Sequence, residues 1–112
     1  MTEEDLVDGL KAVAHPLRLR ILRTLAGSER NVGEIDEAAR IGQPALSQQL
    51  AVLRNAGLVT TRKQAKLVFY RIDAAKLAAM SSVLGEIAGV AAEPARPPRR
   101  TSPGVASFAR LG

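Results

Sequence analysis

Gln43-Pro44-Ala45-Leu46-Ser47-Gln48-Gln49-Leu50-Ala51-Val52-Leu53-Arg54-Asn55-Ala56-Gly57-Leu58-Val59-Thr60-Thr61 reads as a helix with both ends marked, running into a strand. Pro44 suits the first helical position, where no N–H is needed. Gly57 suits the left-handed residue just past a helix end. Leu46, Leu50 and Leu53 fall at i, i+4 and i+7 and share one face. At about 100° per residue the far side holds Pro44, Gln48, Ala51, Val52 and Asn55, with Ala45, Ser47 and Gln49 on the flanks. That outer face carries small residues, amides and a hydroxyl, where a helix facing only water carries Glu and Lys. Small side chains let a helix lie deep in a DNA major groove, and Gln and Ser can read base edges there. The competing reading is an amphipathic core helix with a neutral outer face, and the flanking segments decide between the two.

Downstream, residues 58–62 and 67–72 are rich in β-branched and aromatic residues and read as two strands. The link Lys63-Gln64-Ala65-Lys66 makes them a hairpin with a basic tip. Placed directly after a recognition helix, such a hairpin is a wing. Its Arg62, Lys63 and Lys66, with Arg54 at the helix end, are candidates for the DNA backbone or minor groove. Phe69 and Tyr70 read as packing residues.

Upstream, a short helix over residues 34–40 turns Ile35 and Ala38 or Ala39 inward, and Ile41-Gly42-Gln43 is a tight connection. A short helix, a brief turn and a longer helix have the spacing of a helix-turn-helix. Asn31-Val32-Gly33 reads as a turn or short extended link. Before it, Pro16 starts a helix carrying Leu17, Ile21, Leu22 and Leu25 and ending near Gly27 or Ser28, with Arg18, Arg20 and Arg23 on its polar sides. Thr2 caps the first helix, which runs to about Ala14 with Leu6, Leu10 and Val13 as its apolar stripe. His15, the only histidine, sits at the junction of these two helices. It reads as a junction residue rather than a ligand, although its titration range also makes it a candidate proton sensor.

Asp73 caps a last helix over about residues 74–91. Leu77, Met80, Leu84, Ile87 and Ala91 recur at steps of three and four, a seam suited to a second subunit, which Leu6 and Leu10 can join. The alternative is that this seam covers the domain's own core. From about Glu93 four prolines and four arginines among small residues mark a basic tail. The expected division is therefore a DNA-binding and dimerisation domain over 1–92 and a tail over 93–112.

Net charge is +5, distributed as −3 over residues 1–14, +6 over 15–72, −1 over 73–92 and +3 over 93–112. A basic middle is the footprint of a polyanion partner. The absence of cysteine excludes disulfides, thiolate metal sites and thiol redox switching. No donor set for a metal, no calcium-loop spacing, no nucleophile–base pair and no phosphate-binding glycine loop is visible, so neither a cofactor nor an enzyme is expected. No apolar run approaches the roughly 20 residues of a membrane span, and the acidic start is not that of a signal peptide, which points to the cytoplasm.

The segments Ala14-His15-Pro16-Leu17-Arg18-Leu19-Arg20-Ile21-Leu22, Asn31-Val32-Gly33-Glu34-Ile35, 43–59 and Val68-Phe69-Tyr70-Arg71-Ile72 together resemble the ArsR/SmtB family of bacterial winged-helix repressors. The resemblance covers roughly residues 5–90. The run Gln43 to Leu50 looks most like the branch of biofilm-growth-associated and sulfide-responsive repressors. It implies a homodimer on an imperfect palindromic operator, with Gln43, Ala45, Ser47, Gln48 and Gln49 facing DNA and Arg62, Lys63 and Lys66 on the wing. The departures concern the inducer. The family's thiolate site on the third helix is replaced by Glu34-Ile35-Asp36-Glu37-Ala38-Ala39, and its last-helix site retains only Asp73 and Glu86. Arg23 stands where the persulfide-sensing branch has a cysteine. The resemblance thus implies DNA binding without those effectors. The wing tip also lacks the family's glycine, so Gln64-Ala65 must turn the chain at some cost if a positive φ is required.

The expected architecture is mainly α with a two-stranded β wing: four helices, the hairpin and a fifth helix. The expected function is a sequence-specific dimeric DNA-binding transcriptional regulator with double-stranded operator DNA as its partner. The dimer interface is expected on Leu6, Leu10, Leu77, Met80, Leu84 and Ile87. The rival functions are a sequence-tolerant architectural DNA binder and a protein-interaction module acting on another regulator.

Overall fold

The computed structural model describes residues 1–90; the tail expected over 93–112, and Ala91 of the expected seam, lie outside the described residues. In chain order the elements are α1 (Glu3–Val13), α2 (Pro16–Leu25), β1 (Arg30–Asn31), α3 (Val32–Ala39), α4 (Ala45–Asn55), β2 (Val59–Gln64), β3 (Leu67–Ile72) and α5 (Ala74–Ala88). The sheet has three strands in the order β1-β3-β2. The expected hairpin wing is present as β2–β3, and the sheet gains an unexpected third strand, β1, whose Arg30 and Asn31 pair antiparallel with Tyr70 and Phe69. Two residues carry no periodicity, and their partner strand is distant in sequence, so only the packed fold defines the pairing.

The helix starts follow from side chains that satisfy orphan N–H groups. Thr2 Oγ1 accepts from Asp5 N–H at 3.0 Å, closing a capping box. His15 Nδ1 accepts from Leu17 N–H at 3.1 Å and caps α2, which places this histidine as a junction residue. Asn31 and Glu34 exchange side-chain and backbone bonds at 2.9 and 3.0 Å, so α3 begins at Val32 and not at Glu34. The segment expected as a turn is therefore a strand end, a cap and a first helical turn.

Helix α4 starts one residue later than its proline suggests. Pro44 occupies the cap position and offers no side-chain bond. The Gln43 side chain takes that role: its Oε1 accepts from Ser47 N–H at 3.1 Å, while Gly42 and Pro44 carbonyls accept from Leu46 and Gln48 at 2.9 and 3.1 Å. At the other end Gly57 has φ +77°. Its N–H donates to Arg54 O and Leu58 N–H donates to Leu53 O, both at 3.0 Å, the Schellman pattern. Leu53 and Leu58 are both fully buried, which ties the end of the helix to the core.

The core sits between α2, α3 and α4 and the base of the wing. Leu46, Leu50 and Leu53 pack there with Ile21, Leu25, Ile35, Leu58 and Val59. The α3–α4 turn is shaped by Arg40 at φ +54° and Gly42 at φ +84°. Asp36 Oδ1 accepts from Gly42 N–H at 2.8 Å, and Arg20 Nη1 donates to Ala39 O at 3.2 Å. Helix α2 stops at Leu25, earlier than expected. Helix α5 stops at Ala88, where Gly89 turns left-handed at φ +79°, although the apolar period continues to Ala91 in sequence. Helices α1 and α5 meet closely: a Cβ on Gly9 would lie 2.8 Å from Met80 Sδ.

Candidate nucleic-acid interface

Three leucines fix how α4 is rotated. Leu46, Leu50 and Leu53 are 0, 1 and 0% exposed, so the opposite side of the helix faces solvent. Gln43, Ser47, Gln48, Ala51, Val52, Arg54 and Asn55 are all exposed, while Ala45 and Gln49 are half-buried on one flank. Of the expected DNA-facing residues, Ala45, Ser47, Gln48 and Gln49 lie in the first turns of α4 and Gln43 lies just before it. Two of the amides are tied down. Ser47 Oγ donates to Gln43 Oε1 at 2.7 Å, and Arg18 Nη1 donates to Gln49 Oε1 at 2.7 Å. Those bonds leave the Gln48 amide out, so it keeps both its donors and its acceptor.

The wing is a six-residue strand pair in which Gln64 faces Leu67, leaving Ala65 and Lys66 as the turn. Ala65 adopts φ +57°, the conformation whose cost the sequence anticipates in the absence of glycine. Lys63 and Lys66 are exposed at this tip. Arg62 is placed differently from its neighbours. Its Nη2 lies 2.7 Å from Glu29 Oε1, the one ion pair among the described residues, and its guanidinium carbon sits 4.8 Å from the centre of the Phe69 ring. The hydrogen bond from Arg62 holds the Glu29 carboxyl below the ordinary carboxylate range. Arg62 in the free protein is therefore engaged at the root of the wing, whereas Lys63 and Lys66 extend from the tip.

Of the six residues expected at a dimer interface, Leu6, Leu10 and Leu77 are half-buried against the chain's own core, and Met80 is 4% exposed because it fills the space over Gly9. Leu84 and Ile87 are 45 and 77% exposed, and Val90 just beyond the helix end is exposed as well. The seam thus divides between the domain's own core and an open apolar end. Among the described residues no group of three His, Cys, Asp or Glu side chains is placed to hold a metal ion, and no helix is long and apolar enough to cross a membrane.

Sequence reasoning does not single out Arg18, Asp36 or Glu29 as shaping this surface. Each acts through a partner brought near by the fold, and none lies in a motif that would mark it.

A helix-turn-helix whose second helix turns amides outward beside a basic hairpin defines a winged-helix DNA-binding transcriptional regulator. Residues 15–61 match the family described as bacterial regulatory protein, arsR family. The chain is 44% identical to the Biofilm growth-associated repressor of Xylella fastidiosa (strain Temecula1 / ATCC 700964), covering 75% of this chain and 80% of that protein. It is 47% identical to the Transcriptional activator HlyU of Vibrio cholerae serotype O1, over 67% of this chain and 69% of the relative. The crystal structure of the transcriptional repressor BigR from Xylella fastidiosa superposes with a TM-score of 0.61, at 44% identity, covering 78% of this chain and 96% of that one. The chain belongs to the ArsR family, a family of transcriptional regulators and not of enzymes.

Proposed function

We propose that this regulator is a homodimeric repressor that recognises an inverted-repeat operator in the cytoplasm. The observation that carries base recognition is the outer side of the first turns of α4 and the residue before it: exposed amides at Gln43 and Gln48, a half-buried one at Gln49 and no charged side chain among them, over a row of fully buried leucines. Such a helix can approach base edges without the desolvation of charged side chains, and its rigid seat fixes which atoms it presents. Arg54, Lys63 and Lys66 supply contacts to phosphate. Arg62 joins them after exchanging Glu29 for a phosphate, both of which suit its guanidinium. The dimer is supported by the exposed Leu84 and Ile87 on α5, an apolar end that a second copy would cover, with Leu6 and Leu10 at its border. Two-fold symmetry of the protein then asks for two-fold symmetry in the site. Repression rather than activation is supported by the Biofilm growth-associated repressor, matched over a larger share of this chain than the activator HlyU. Residues 93–112, with four arginines against one glutamate, add sequence-independent attraction to DNA.

The test is selection of DNA fragments from the source genome at near-physiological salt. A shared inverted repeat near promoters is the expected result. Enrichment without a motif would instead identify a sequence-tolerant architectural binder. No enrichment would identify a module that acts by contacting another regulator.

A further inference from the structure

We propose that Arg18 is a positioning residue that sets the hydrogen-bonding polarity of Gln49, so that this amide offers only donors to the groove and selects guanine at the base it meets. The inference rests on the base-reading role of α4 and adds a residue and a base class to it.

The geometry of Arg18 is over-determined. Its Nε donates to Ala12 O at 2.6 Å and its Nη2 to Lys11 O at 3.4 Å, so the guanidinium is held by two carbonyls at the C-terminal turn of α1. Its Nη1 then reaches Gln49 Oε1 at 2.7 Å across the α2–α4 contact. Arginine has donors and no acceptor. The atom of Gln49 that faces it must therefore be the oxygen, and the amide nitrogen must point elsewhere. Turning the amide over would break a charge-assisted bond and set an NH2 group against a guanidinium, two donors with nothing between them. Gln49 is half-buried on the flank of α4, and its nitrogen has no bonding partner among the described residues. On the base-reading role proposed for α4, that nitrogen is the atom left for a partner in the groove.

The consequence follows from the base edges. A free glutamine pairs bidentately with adenine because it offers one donor and one acceptor. Gln48, with no partner here, keeps that capacity. A glutamine restricted to its NH2 group finds two acceptors on guanine, N7 and O6, and one on thymine, O4. Adenine meets it with N7 but sets its own N6 donor alongside, and cytosine offers a donor alone. The two neighbouring amides Gln48 and Gln49, identical in sequence, are therefore read as different letters.

The experiment is base-preference profiling on a randomised operator, with the full-length protein, for the parent, Gln49→Ala, Arg18→Met and Gln49→Glu. Gln49→Ala identifies the base pair that Gln49 addresses. There the parent is expected to favour guanine over adenine by about tenfold, the scale of one good base contact. Arg18→Met keeps an apolar stem and removes the donors. It is expected to bring adenine to within about twofold of guanine at that base pair alone, with the preference at the Gln48 base pair unchanged, a change that loss of packing would not localise. Gln49→Glu leaves Arg18 in place and turns an acceptor outward, so it is expected to move the preference to cytosine and serves even if Arg18→Met folds poorly. Adenine preferred by the parent at the Gln49 base pair overturns the proposal, as does guanine retained in folded Arg18→Met. A motif that Gln49→Ala leaves unchanged overturns this proposal and spares the regulator reading. No motif for the parent at all overturns both.

Discussion

Helix α4 and the wing follow one another in the same domain, yet they are held by opposite means. Behind α4 stand three leucines with essentially no exposure, a Schellman closure and an arginine clamp on Gln49. From Arg62 to Leu67 every wing residue is exposed, Ala65 sits in a left-handed conformation, and the root is pinned by one surface ion pair and one cation–π contact. Hydrophobic burial scales with area and carries no charge to be screened or titrated, which suits α4 to the fixed reading role proposed for it. Surface pairs are screened and individually weak, which suits the wing to the adjustable phosphate contact proposed for it. Reading base edges needs fixed angles, whereas phosphates run continuously and tolerate an adaptable contact.

Removing the support of the reader has the largest effect. Leu50→Ala opens a cavity under α4 and is expected to cost about 2–5 kcal/mol, seen as a lower denaturation midpoint at fixed protein concentration. A matching truncation at exposed Leu67 should move the midpoint by less than about 0.5 kcal/mol. An equal loss at both would dissolve the contrast between buried helix and exposed wing.

Next comes the pair Gln48→Ala and Lys66→Ala, titrated on operator and on random DNA over a range of salt. Gln48→Ala is expected to lose about 1–3 kcal/mol on the operator and little on random DNA. Lys66→Ala is expected to weaken both severalfold and to lower the salt slope by about 0.9. Equal losses on both DNAs for Gln48→Ala would remove its base-reading role.

A smaller effect sharpens the comparison from the other side. At φ +57° a side chain costs about 1–2 kcal/mol, of which glycine's larger unfolded freedom takes back about 0.5–1. Ala65→Gly is therefore expected to raise stability by up to about 1.5 kcal/mol, detected as a higher denaturation midpoint. No gain would mean that the strain at this turn does not exceed the entropy that glycine loses on folding.

The smallest effect is on pH. Because Arg62 lowers the Glu29 carboxyl from its ordinary range, the contribution of the pair is complete above that range and is lost as pH falls through the folded value. Acidification is expected to release the Arg62 Nε–H resonance toward its free-side-chain shift, and Glu29→Gln is expected to abolish that transition while α4 resonances stay in place. A transition that persists in Glu29→Gln belongs to another group.

Much of this was legible because it is local. Leu46, Leu50 and Leu53 announce the buried side of α4 by spacing alone, Gly57 announces its end, and the absence of glycine at the wing tip announces a strained turn. Thr2 and Asp73 cap where a polar residue before an apolar period should. The misplacements share a different property. The β1 strand, the early start of α3 and the late start of α4 each depend on a polar side chain or edge that two local patterns can claim. Asn31 serves equally as a turn residue and as a cap, and Pro44 fits equally at the cap and one place after it. Met80 belongs by period to the outward seam, yet a facing glycine on α1 draws it into the core.

The amino-acid sequence by itself determined the order of the five helices and the hairpin, the buried side of α4, the basic tip that follows it and the absence of any thiol chemistry, because periodicity, capping and composition act over one or two turns of chain. Only the tertiary structure decided what the polar side chains do. Arg18 lies far from Gln49 in sequence, and Glu29 from Arg62, and nothing in their neighbours distinguishes them from solvated charges. A hydrogen bond is a matter of a few tenths of an ångström and of direction. Those quantities exist only once the leucines have brought α1, α2, α4 and the wing together.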